Sequence, residues 1–133
     1  MTGGEGASFE VEEVFTEQDD LLVLSLGFAS AENPLDILHI ACGRSRTGRE
    51  PRPVEDLLYL ERTDQGLSCD GQDVIRGILH AGHIEVALTA EGARALGLPE
   101  RVLFRFDRHP ALLPAARAVL GAMAAAGQRQ VSV

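Results

Sequence analysis

Two spacings raise the question of metal chemistry in this chain: His80 and His83 in "GILHAGHIEVALT", and His39 and Cys42 in "ILHIACG". Zinc takes Cys and His in tetrahedral sets, usually drawn in pairs from one knuckle or one helix, and Cys69 would extend such a set. The local pattern argues against it. His39 and Cys42 fall in a predicted strand, where residues three apart point to opposite faces. His80 and His83 flank Ala81 and Gly82, and a two-residue connection with Gly second between strand-like runs signals a hairpin. The expectation is a hairpin with its histidines near an exposed tip, no bound metal and no cofactor. An acid–base site on the sheet, using His39 or His83 with Asp70 or Glu85, stands as the alternative, since a histidine base needs an orienting carboxylate. Asp70 and Asp73 in "SCDGQD" also suit a turn. There is no GxGxxG, P-loop, GxSxG, HExxH or CxxC motif, so no residue is assigned as catalytic.

Charge is distributed unevenly. Residues 1–43 hold nine acids and no Arg or Lys, whereas all twelve arginines lie beyond them. A net charge of −8 concentrated in the first third repels phosphates and argues against nucleic-acid binding there. It favours a basic protein partner, with steering that weakens in salt. Glu12, Glu13, Glu17, Asp19 and Asp20 are the predicted contact acids. A second cluster, Arg44, Arg46, Arg49 and Arg52, can grip an anion or a partner carboxylate, or form a solvated loop. Two cysteines are too few for a disulfide framework. With no apolar run near 18 residues and no secretory signal pattern, the expectation is a cytoplasmic protein without membrane contact.

The elements that must position these residues are short. Residues 1–8 are Gly-rich and read as a disordered N-terminus, residues 9–127 as one domain, and 128–133 as a frayed tail. Alternating apolar residues predict strands over 9–15, 21–28, 36–42, 56–62, 73–80, 83–89 and 101–107, with a turn signal at 63–66 and a short run at 67–69. The polar run 16–20 reads as a turn, and 43–53 as a loop. Thr89, Glu91, Gly97 and Pro99 are start and stop signals for a short helix. Leu112, Leu113, Ala116, Val119, Leu120 and Met123 form a helical apolar stripe near the C-terminus. The predicted class is α+β: an antiparallel, meander-like sheet with a short helix and a C-terminal helix packed on one face.

The second half then shows a family likeness. "YLERTDQGLSCDG", "ILHAGHIEVALTAEGARALGLPERVLFRFD" and "LPAARAVLGAM" resemble the immunity protein 10 family of bacterial polymorphic toxin systems. Leu88, Thr89, Glu91, Ala93, Leu96 and Gly97 match its helix-opening pattern, and Leu103, Phe104 and Phe106 its next strand. The likeness spans roughly residues 20–125 and is best from 57 onward. It departs at Cys42-Gly43 and in "SCDGQDVIRG". The resemblance implies a non-catalytic α+β immunity protein that binds a cognate toxin and protects the producing cell. The alternatives are a small enzyme, an accessory partner in a biosynthetic cluster, or a homodimeric scaffold.

Overall fold

The structure, a computed structural model, describes residues 6–19, 21–31, 33–43, 58–62 and 66–133. Alternating apolar side chains give strands β1 (Ala7–Gln18), β2 (Leu21–Phe28), β3 (Asp36–Gly43), β4 (Tyr59–Arg62), β5 (Leu67–Cys69), β6 (Val74–Leu79), β7 (His83–Leu88), β8 (Arg101–Arg105) and β9 (Val131–Ser132). The helices are α1 (Ala90–Leu96) and α2 (Leu113–Ala125). The class is α+β, but the sheet is mixed, in the order β5-β4-β3-β2-β1-β8-β7-β6-β9. The expected meander holds from β1 to β5. It fails where β8 returns parallel to β1, and where β9 lies parallel to β6. Alternation marks which residues form strands, whereas strand neighbours are chosen by long-range packing.

β1 changes partner along its length. Ala7 to Glu10 pair with β8, and Val11 to Gln18 pair with β2, with an irregularity between Val11 and Glu13. An extra residue in a strand flips the alternation, which is how Phe9 and Val11 face the core and Val14 faces it again three residues later. Ala7 and Ser8 therefore belong to a strand and not to a disordered N-terminus; residues 1–5 lie outside the described residues. The expected turn at 16–20 shrinks, because β1 runs on to Gln18 in register with Leu22. β4 starts later than expected, at Tyr59.

One hydrophobic core joins the two halves of the sheet. Leu22, Leu24, Leu26 and Phe28 from β2 meet Ile84, Val86, Val102 and Phe104, with Ala116, Val119, Leu120 and Met123 of α2 closing over them. Phe9, Phe28 and Phe104 touch ring to ring at centroid separations of 4.7, 6.0 and 5.3 Å, where the sheet changes halves. The tail expected to fray is anchored. Gln128 and Val131 are buried, and the Gln130 amide donates to the Gly71 and Val74 carbonyls while its oxygen accepts from the Leu58 N–H. One glutamine amide thus satisfies backbone groups at the start of β6, in the turn before it and just ahead of β4.

α1 follows its sequence signals. Thr89 Oγ1 accepts from the Gly92 N–H at 3.1 Å, and Gly97 ends the helix with φ +67°. Gly92 is there for space: a Cβ would lie 2.7 Å from the Asp73 carbonyl oxygen. Gly92→Ala is expected to cost about 1–2 kcal/mol, since overpacking outweighs the gain in helix propensity; urea unfolding measures it.

A buried ion pair holds α1 to the sheet. Arg62 donates to Asp36 Oδ2 from Nε at 3.1 Å and from Nη2 at 2.8 Å. Its Nη1 donates to the Leu96 and Gly97 carbonyls at 2.9 and 3.0 Å, satisfying the end of α1. Burial pushes the Asp36 carboxyl up, but the Arg62 and Ser30 hydrogen bonds, the Arg62 charge and the Ile37 N–H together hold it below its ordinary value.

Candidate functional site: an acidic sheet face

The face of β1–β4 turned away from α2 carries several exposed polar and apolar side chains. Register places Phe15, Ser25, His39 and Glu61 side by side across β1, β2, β3 and β4. Ser25 and His39 are hydrogen-bonded, Oγ to Nδ1, at 2.6 Å. Ser25 is only 5% exposed, so its hydroxyl serves this bond and is not presented to a substrate. Around that polar centre stand exposed apolar side chains, Phe15 (55% exposed) and Leu21 (50%). Large apolar groups at the surface of a small protein are contact candidates when they cluster with rim charges.

The predicted contact acids are arranged around this face. The β1 irregularity brings consecutive residues Glu12 and Glu13 to one groove of about 320 Å³, lined also by Phe28, Pro34, Leu35 and Ile37. Leu35 is 83% exposed at its lip. Glu13 and Glu17 flank Phe15 on the same face and are exposed, and Asp19 follows at the strand end. Glu12 is partly engaged, 3.5 Å from Arg108 Nη1 and 3.3 Å from His109 Nε2. Asp20, and all of Arg44, Arg46, Arg49 and Arg52, lie outside the described residues.

The alternative acid–base set is not gathered into one place. His39 is on β3, whereas His83 and Glu85 are on β7, with β2, β1 and β8 between. Asp70 is exposed ahead of the 3₁₀ turn Gly71–Asp73. Burial, with the charges of Asp73 and Asp70, pushes the Cys69 thiol up to about 11, so it is no nucleophile near neutral pH.

The His80–His83 stretch is a hairpin turn. The His80 N–H donates to the His83 carbonyl at 2.8 Å across Ala81-Gly82, and the two imidazoles stack at 4.6 Å. Glu85 occupies the space between this tip and β8: its oxygens meet His80 Nε2 at 3.0 Å and Arg101 Nε at 2.7 Å. Burial, followed by the nearby His80 and Arg105 charges, lowers the His83 pKa despite Glu85. His39 points to the outer face and Cys42 to the core, and among the described residues no three of His, Cys, Asp and Glu are placed to share an ion. The Arg101 hydrogen bond, then that of His80, hold Glu85 below its usual 4.5. A lowered carboxylate stabilises the fold above that usual value, and the contribution fades as pH falls through the folded-state value. Glu85→Gln should therefore lose about 1 kcal/mol at neutral pH and show a shallower decline in acid, read by urea titration at several pH values.

Sequence reasoning missed the exposed Phe15, Leu21 and Leu35, and the Ser25–His39 bond. One signal was available: in "FEVEEVF" the apolar spacing changes from two to three, which marks the β1 irregularity and the doubled Glu12-Glu13. No helix among the described residues is long and apolar enough to cross a membrane. Comparison with family models and with curated proteins finds no match to this chain.

Proposed function

We propose that this chain is a non-catalytic immunity protein that binds a cognate bacterial toxin through its acidic sheet face and neutralises it inside the producing cell. The carrying observation is the arrangement of Glu13 and Glu17 around exposed Phe15, beside the groove at Glu12 and Leu35. Apolar centres supply affinity and rim charges supply approach rate, so this surface suits a partner with a basic rim around an apolar patch. The resemblance of residues 57–125 to the immunity protein 10 family supports the same reading. Nothing in it requires a cofactor, a metal, nucleic acid or a membrane.

The test is protection in the cytoplasm. Bacteria producing the toxin domain from the adjacent gene should grow when this chain is co-produced and arrest when it is not. Growth arrest in both cases overturns the proposal. The second reading, a small enzyme or an accessory protein of a biosynthetic cluster, draws on the Ser25–His39 hydrogen bond. It requires His39→Ala to abolish an activity while leaving the fold intact, whereas the immunity reading expects His39→Ala to leave protection in place.

A further inference from the structure

β1 is paired on one side only along its second half. β8 meets it from Ala7 to Glu10, and beyond that point, among the described residues, only β2 pairs with it. Thr16 and Glu17 are exposed although their side chains lie on opposite faces. The Asp19 N–H donates to the Leu21 carbonyl at 3.1 Å. Hydrogen-bonded and non-bonded pairs alternate in an antiparallel ladder. Counting back in twos, Glu17, Phe15 and Glu13 bond to β2, while Val14 and Thr16 turn their backbone N–H and C=O groups outward. Such an edge is a template for another strand.

We infer that this edge of β1 binds its partner by strand addition, accepting an extended segment with the pattern basic–x–apolar–x–basic. The inference rests on the immunity reading and specifies its contact. Side chains of an added strand alternate faces as β1 does, and directly opposite pairs interact most strongly. Basic residues then lie opposite Glu13 and Glu17, and an apolar one opposite Phe15. The same charges disfavour a second copy. Antiparallel self-pairing about Phe15 sets Glu13 against Glu17 twice, and about Thr16 it sets Glu13 against Asp19 and Phe15 against Glu17. In-register parallel pairing aligns each acid with itself.

The probe is the peptide acetyl-Thr-Arg-Thr-Val-Thr-Arg-Thr-amide added to the full chain, read by amide hydrogen exchange. At low salt it should slow exchange of the Thr16 amide at least about tenfold, leave Ser25 unchanged, and lose its effect at high salt. A version with Glu for Arg, and one N-methylated at alternate residues, should have no effect. Thr16→Pro keeps the bonds to β2, because edge positions tolerate proline, and should abolish the protection that the peptide gives the Val14 amide, the other outward-facing N–H. The N-methylated peptide makes the same test without altering the protein. Equal binding of the N-methylated peptide, an unprotected Thr16 amide with the Arg peptide, or self-association through this edge overturns the inference. A toxin domain that is neutralised while Thr16 exchange stays unchanged overturns the strand addition alone; peptide pairing without protection of toxin-producing cells overturns the immunity reading alone.

Discussion

Arg62→Leu is expected to destabilise the protein by about 3–5 kcal/mol, the largest effect of any single substitution considered, because it strands a buried carboxylate. The Asp36 side chain is fully buried and Arg62 nearly so. Their attraction offsets the cost of taking both out of water, and Arg62 also satisfies two carbonyls at the end of α1. Removing the guanidinium leaves all three acceptors without that donor. The pH dependence reverses in sense. With Arg62 present, the lowered Asp36 carboxyl contributes stability above its ordinary 3.8 that is lost as pH falls through the folded value. Without Arg62, burial is opposed only by the Ser30 and Ile37 bonds, the carboxyl rises, and the variant should lose less stability in acid than the parent. Asp36→Asn in the Arg62→Leu background should restore part of the loss, since a neutral amide is less costly to bury. Urea unfolding of the parent and the two variants between neutral and acid pH measures each of these.

How much of this was legible beforehand depends on how local the cause is. α1 was readable to within a residue, because Thr89, Gly97 and Pro99 act on their immediate neighbours. The hairpin at Ala81-Gly82 was readable for the same reason, and with it the fate of His80 and His83 as turn residues. The Asp36–Arg62 pair was not: the partners are 26 positions apart, and nothing near either residue marks it as buried. The parallel placement of β1 beside β8 was equally hidden, since alternation in "FEVEEVF" says that the segment is extended but not what lies next to it. The tail was misread because "QRQVSV" is polar by composition, whereas Gln128 and Gln130 act as internal hydrogen-bonding groups. Of the candidate site, the acids were found by charge counting, but that Glu13, Phe15 and Glu17 face outward, with Glu12 beside them, depends on the irregularity between Val11 and Glu13.

The triple substitution Glu13→Lys, Glu17→Lys and Asp19→Lys carries the second large expectation. All three residues are exposed, on β1 or just past its end, so stability should change little. Binding to a basic partner should change far more. Opposite rim charges raise association rates by about tenfold to a thousandfold over neutral surfaces at low salt. Reversing three of them replaces attraction with repulsion along the path of approach. Dissociation should change less, because the apolar side chains Phe15, Leu21 and Leu35 are untouched.

The most direct test of the account is therefore the association rate with the proposed partner, a cognate toxin domain, measured by stopped flow across a range of salt concentrations. The acidic-face mechanism predicts that the unmodified chain associates fast at low salt and slows steeply as salt is added. It also predicts that the triple variant is at least about tenfold slower at low salt, with the two rates converging at high salt. Equal rates with equal salt dependence for the two proteins would contradict it.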